Sequence, residues 1–144
     1  MGATVAVLID APLERVWAAV ADLASHVDWM ADAERIDLTG PQHEGVGTLM
    51  KVLTRIGPLT TTDVMEVTVW EPPRRIAVAH KGLVSGTGEF RLDPVAGGVV
   101  VTWAEQLDFP WQFGGLLGAA LTRPLFRWIW KGNLKRLRTL LTQT

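Results

Sequence analysis

Among the side chains able to do chemistry, Glu105 and His80 stand apart, because strand alternation turns both toward the interior. A carboxylate and an imidazole in apolar surroundings cost free energy unless they are paired, hydrogen-bonded or wetted. One reading makes them orient a ligand hydroxyl or carbonyl, or act as the catalytic acid and base of an aldol-type cyclisation or dehydration. The other places them at a sheet end that meets solvent, or pairs Glu105 with Arg123. The remaining types narrow the chemistry. His26, His43 and His80 lie in separate segments without metal-ligand spacing, so no metal is expected. The absence of cysteine removes thiolate ligands, thiol nucleophiles and disulfides. Ser25 and Ser85 lie outside any nucleophile-elbow context. Gly86-Thr87-Gly88 does not open a helix, as a dinucleotide loop must, so no nucleotide cofactor is implied and none of any kind is expected.

The elements that must position these residues are legible in the hydrophobic periodicity. Thr4 to Ile9 alternates β-formers as a strand, and Pro12 with Glu14 marks a helix start followed by Leu13, Val16, Trp17, Val20 and Leu23 at helical spacing. Ser25 is placed to cap a second short helix running through Met30. Turn signals at Gly45-Val46-Gly47, Gly57-Pro58, Glu71-Pro72-Pro73, Lys81-Gly82 and Gly97-Gly98 then divide the chain into six strands, near 33–39, 48–55, 60–70, 75–81, 84–93 and 98–108. Short connections predict an antiparallel meander. Phe126, Trp130, Asn133, Leu134, Leu137 and Leu141 form a stripe that predicts a terminal helix facing the sheet, with Pro124 kinking it or marking its start. The expected class is α+β: a curved seven-stranded antiparallel sheet wrapped around a long C-terminal helix, with two short helices after strand 1.

Length and composition agree with one globular domain over 1–144: 48% of residues are hydrophobic and 20% charged. Phe109 to Thr122 is the longest charge-free run, too short and too rich in glycine to span a bilayer as a helix. The N-terminus lacks the pattern of a secretory signal, and the expected location is cytoplasmic. A net charge of -1 conceals a body, residues 1–108, at -7 and a remainder at +6. The basic helix residues suit a solvated face matched to the helix dipole, and alternatively a surface for anionic lipid. No nucleic acid partner is expected, since the basic residues are not interleaved along any known motif.

Ile9-Asp-Ala-Pro-Leu-Glu-Arg-Val-Trp17, Trp29-Met30, Gly45-Val-Gly47-Thr48, Trp70-Glu-Pro-Pro73, Gly86-Thr-Gly88, Gly97-Gly98 and Leu134-Lys-Arg-Leu137, in this order, resemble the SRPBCC (START/Bet v 1-like) superfamily. More narrowly, they resemble its bacterial polyketide cyclase/dehydrase group. The resemblance runs from the first strand to the last helix. It implies the helix-grip fold and a deep, mostly apolar pocket for lipids, polyketides or other hydrophobic compounds, and it does not imply an enzyme.

Parity supplies the expected wall of that pocket. Met50 and Val52, Met65, Val67 and Val69 with Asp63, Ile76, Val78 and His80, Gly88, Phe90 and Leu92, and Val101, Trp103, Glu105 and Leu107 face inward. Trp29 and Met30 are expected near the mouth, and Arg123, Phe126 and Trp130 reach in from the helix. Each of these residues alternatively fills a solid core. Three functions remain open: a non-catalytic carrier or sensor of a small hydrophobic molecule, which the residues favour; a polyketide cyclase, aromatase or dehydratase using Glu105 and His80; and a membrane-contacting or homodimeric module using Leu121, Leu125, Trp128 and Ile129 with the basic residues around them.

Overall fold

The computed structural model describes residues 1–82, 84–108 and 115–143, the side chains of 115–121 excepted. Strand β1 (Gly2–Ile9) leads into helix α1 (Leu13–Ala21) and a short 3₁₀ helix (Leu23–Asp28). Six strands follow: β2 (Ala33–Leu38), β3 (Leu49–Ile56), β4 (Leu59–Glu71), β5 (Arg75–Lys81), β6 (Ser85–Val95) and β7 (Gly98–Asp108). Helix α2 (Gly115–Thr142) ends the fold. All strand pairs are antiparallel, in the order β1-β7-β6-β5-β4-β3-β2. The meander is thus closed by the first strand pairing with the last, and the curved sheet forms a half-barrel of the helix-grip type.

Helix α2 packs chiefly against β1, where the Lys131 ammonium donates to the Ala6 carbonyl. Its inward stripe is the expected one: Trp130, Asn133, Leu134, Leu137 and Leu141 are buried. Leu134 and Leu137 are almost wholly removed from water, so truncating either to alanine should cost about 2–5 kcal/mol. Asn133 joins three segments. Its Oδ1 accepts from the Ala31 and Arg136 nitrogens, and its Nδ2 donates to Asp32 Oδ1 at 2.7 Å, which fixes α2 over the turn into β2.

Three local expectations are corrected. Ser25 does not cap the second helix; it lies inside the 3₁₀ turn, and its hydroxyl donates to the Asp22 carbonyl at 2.6 Å. Pro124 does not start α2, which runs through it from Gly115. Val69 does not face inward, because the β4–β5 register shifts between Val67 and Val69. This bulge reverses the alternation, so Val69 pairs with Ala77 while Trp70 pairs with the buried Ile76 and meets Trp17 edge-on at 5.5 Å.

Candidate functional site

Strand register determines which side chains share the concave face. Across β3, β4 and β5, Met50, Met65 and His80 stand side by side, and on β6 His80 is opposite Gly86. In the next inward row, Val67, Val78, Gly88 and Glu105 are successive partners from β4 to β7. A third row places Trp70, Ile76, Phe90 and Trp103 together. His80 and Glu105 therefore sit on strands separated by β6, about 10 Å apart at twice the usual strand spacing. They meet because β6 offers only hydrogen there. A β-carbon on Gly88 would lie 2.5 Å from Glu105 Oε2. The carboxylate occupies the space that any larger residue would need.

The contact is close and dry. His80 Nε2 lies 2.8 Å from Glu105 Oε2, and Trp103 Nε1 donates to Glu105 Oε1 at 2.9 Å. The His80 and Glu105 side chains are only 9% and 8% exposed, so the pair is not a solvated sheet end. Arg123 does not pair with Glu105; it is exposed on α2, and both Glu105 oxygens are already engaged. Burial alone would lower the His80 pKa, but the Glu105 hydrogen bond and charge, together with Asp63, outweigh it and hold the imidazole above its ordinary value. Burial pushes the Asp63 carboxyl up, against the pull of His80. Asp63 Oδ1 is buried without a hydrogen-bond partner among the described residues. A β-carbon on Gly82 would collide with that same oxygen.

These groups line one end of a cavity of about 430 Å³ enclosed by the sheet, the 3₁₀ helix and α2, a volume in the usual range for small-molecule sites. Its wall is mainly apolar. Met50, Val52, Met65, Ile76 and Val78 come from the sheet, and Met30, Leu125, Phe126 and Trp130 from the covering elements. Aromatic rings continue across it: Phe90 to Trp103 at 5.0 Å, Trp103 stacked on Trp130 at 5.4 Å, and Trp130 stacked on Phe126 at 5.3 Å. A second imidazole, His26, lines the same cavity. Its Nε2 donates to the Val20 carbonyl at 2.8 Å, and complete burial pushes its pKa down to about 4 despite that bond and the Asp22 charge.

Of the residues expected on the wall, Met30, Met50, Met65, Ile76, Val78, His80, Phe90, Trp103, Glu105, Phe126 and Trp130 line the cavity. Trp29, Val67, Val101 and Arg123 do not. Val67 and Val101 have the inward parity but are fully packed in the core. Trp29 is 2% exposed behind Phe90 and Trp103, not at a mouth. Sequence reasoning gave no role to Asp32, Thr54 or Thr61, which add polar groups to the wall. Of the α2 residues expected on an interaction surface, Trp128 is 75% exposed, Leu125 is partly exposed and also lines the cavity, Ile129 packs on the core, and the Leu121 side chain lies outside the described residues. Among the described residues no cluster of His, Asp or Glu is arranged to hold a metal ion, and no helix is long and apolar enough to cross a membrane.

Similar architecture recurs in solved structures. A protein of Thermus thermophilus aligns with a TM-score of 0.84 at 20% identity, over 98% of this chain and 97% of its own. One from Nitrosospira multiformis aligns at 0.73 and 15% identity, over 99% and 97%. The di-domain aromatase/cyclase StfQ of the steffimycin biosynthetic pathway aligns at 0.79 and 12% identity, over 97% of this chain and 50% of its own. At such identities the likeness shows the fold. No curated protein matches the sequence. The family model described as polyketide cyclase/dehydrase and lipid transport matches residues 2–142, and with nearly the whole chain inside that match, the protein belongs to this family.

Proposed function

We propose that the protein binds one small hydrophobic molecule between the sheet and α2, as a carrier or sensor rather than a catalyst. The observation that carries this reading is the cavity of about 430 Å³ with its methionine, aliphatic and stacked aromatic wall. Methionine and aromatic side chains adapt to irregular apolar shapes, and burying a ligand against them provides the driving force. Native mass spectrometry of the purified protein beside its denatured mass tests the reading. An adduct lost on denaturation is the expected result. Failure of every hydrophobic compound tried to bind, with no such adduct, would count against it.

A catalytic reading is favoured by one observation, the convergence of His80, Glu105 and Asp63 on a single cavity. In an aldol-type cyclisation or dehydration His80 would move the proton, and Glu105 would hold its ring and charge. Turnover of a reactive poly-β-ketone that disappears in His80→Ala would support it; equal product from the variant would remove it. A third reading, contact with an anionic bilayer, draws on Trp128 beside Arg123 and Arg127, all exposed on α2. Flotation with phosphatidylglycerol vesicles at low and high salt tests it, and no binding at low salt would dismiss it.

A further inference from the structure

We infer that Met30 and Met65 form a peroxide-sensitive modification site, and that turning their thioethers into sulfoxides weakens the cavity's hold on an apolar molecule. The inference rests on the cavity-binding reading above and adds a means of regulating it. The sequence has four methionines, and three of them, Met30, Met50 and Met65, line the cavity. Met65 stands between Met50 on β3 and His80 on β5, its direct partners across the sheet. Met30 and Met65 are half-buried, whereas Met50 is only 5% exposed and Met1 packs on the core away from the cavity wall. Met30 and Met65 are thus the cavity thioethers within reach of a small polar oxidant.

Hydrogen peroxide is the oxidant. The sulfur lone pair attacks one peroxide oxygen, the O–O bond breaks, and the departing hydroxide takes the proton carried by the transferred oxygen. The products are a sulfoxide and water, with sulfur oxidised by two electrons and the peroxide reduced by two. A sulfoxide is polar, and its oxygen only accepts hydrogen bonds. Beside Met65, Met50 and Val67 offer it no donor, and His80 Nε2 is already bonded to Glu105. The new oxygen therefore draws water onto the apolar wall, and an apolar molecule must displace that water without replacing its hydrogen bonds.

The probe is N-phenyl-1-naphthylamine, a dye whose fluorescence rises in apolar surroundings, titrated before and after treatment with dilute hydrogen peroxide. Trypsin, cutting after Arg15, Arg35, Lys51, Arg55 and Arg74, delivers each methionine on its own peptide, so peptide masses report the oxidation of each. Met30 and Met65 should gain oxygen before Met50, and saturating dye should slow both while leaving Met1 unchanged. The oxidised, still folded protein should bind the dye about tenfold more weakly, as a polar group placed in an apolar wall would give. The double variant Met30→Leu, Met65→Leu keeps the apolar volume without the sulfur and should retain its affinity after the same treatment. Oxidised wild-type protein that binds as tightly as untreated protein, or a Met65 that resists peroxide while Met1 reacts, would overturn the inference and leave the cavity reading standing. Weaker binding accompanied by loss of the near-ultraviolet circular dichroism would overturn it too, since the fold rather than the site would then have failed. If the untreated protein binds no dye, that counts against the cavity reading and removes the inference with it. The wild-type measurements need no variant, so a variant that does not fold cannot rescue the proposal.

Discussion

Two imidazoles line one cavity and are driven in opposite directions. His26 faces a backbone carbonyl and the rings of Trp29 and Phe90, and burial dominates, pushing its pKa down to about 4. His80 is also largely desolvated, yet the two carboxylates beside it reverse the outcome. Burial thus does not determine the charge of a histidine; what matters is whether the groups around the ring supply a compensating anion. Above pH 6.5 the neutral His26 contributes its full stability, and this is lost as the pH falls from 6.5 toward about 4, where the unfolded chain binds a proton that the fold refuses. His80 has the reverse sign: its stabilisation is complete below 6.5 and is lost as the pH rises through its raised value.

Glu105→Leu should break this contrast most strongly. Left without its anion and next to an unpaired Trp103 indole, His80 becomes a second His26, its pKa falling as burial acts with less opposition. Removing one partner of a buried pair costs about 3–5 kcal/mol. That loss should appear in urea unfolding below pH 6.5 and shrink at higher pH, where the imidazole is neutral. His26→Phe should have the next largest effect. It removes the acid limb of the stability curve, worth about 3 kcal/mol between pH 6.5 and about 4, while depriving the Val20 carbonyl of a donor. Unfolding measured at several pH values should show a flattened profile; an unchanged acid limb would mean that another group titrates there.

The contrast was only partly visible in the sequence. Alternation placed His80 and Glu105 on the inner face because their own strands carry clear polar residues on the other parity, Arg75 and Lys81 beside His80 and Thr102, Gln106 and Asp108 beside Glu105. Alternation cannot say how far along a strand a residue lies, so the buried Val67 and Val101 looked equivalent to the wall residues Met65 and Trp103. Val67-Thr68-Val69-Trp70 is β-forming throughout and carries no mark of its bulge. The glycines of Gly86-Thr87-Gly88 suited sheet curvature, and their second role depends on β7 pairing, which brings Glu105 opposite Gly88. Asp63 followed Met65 by parity, but its unpartnered oxygen appears only once β4 and β5 are aligned.

Gly88→Ala tests that register argument directly. Its new methyl group must displace the Glu105 carboxylate, costing about 1–3 kcal/mol as overpacking and loosening the contact with His80. The His80 pKa should fall toward that of Glu105→Leu without any charge having been removed. An unshifted titration, followed by NMR, would show that Glu105 reaches His80 by another path.

Asp63→Asn should have the smallest effect and separates the two carboxylates beside His80. Asp63 contributes less than Glu105 to the raised His80 pKa, so the imidazole should shift down only slightly. The fold itself should gain. Because the Asp63 pKa is raised, its protonated form suits the folded chain better, and stability is lost as the pH rises and the half-buried carboxyl ionises. Asparagine keeps the shape without the charge, so Tm should increase at neutral pH, and the difference should vanish once the pH falls below the ordinary aspartate value of 3.8. A Tm that drops at neutral pH would mean that attraction to His80 outweighs burial at Asp63, making the polar end a three-charge network rather than an ion pair with a strained neighbour.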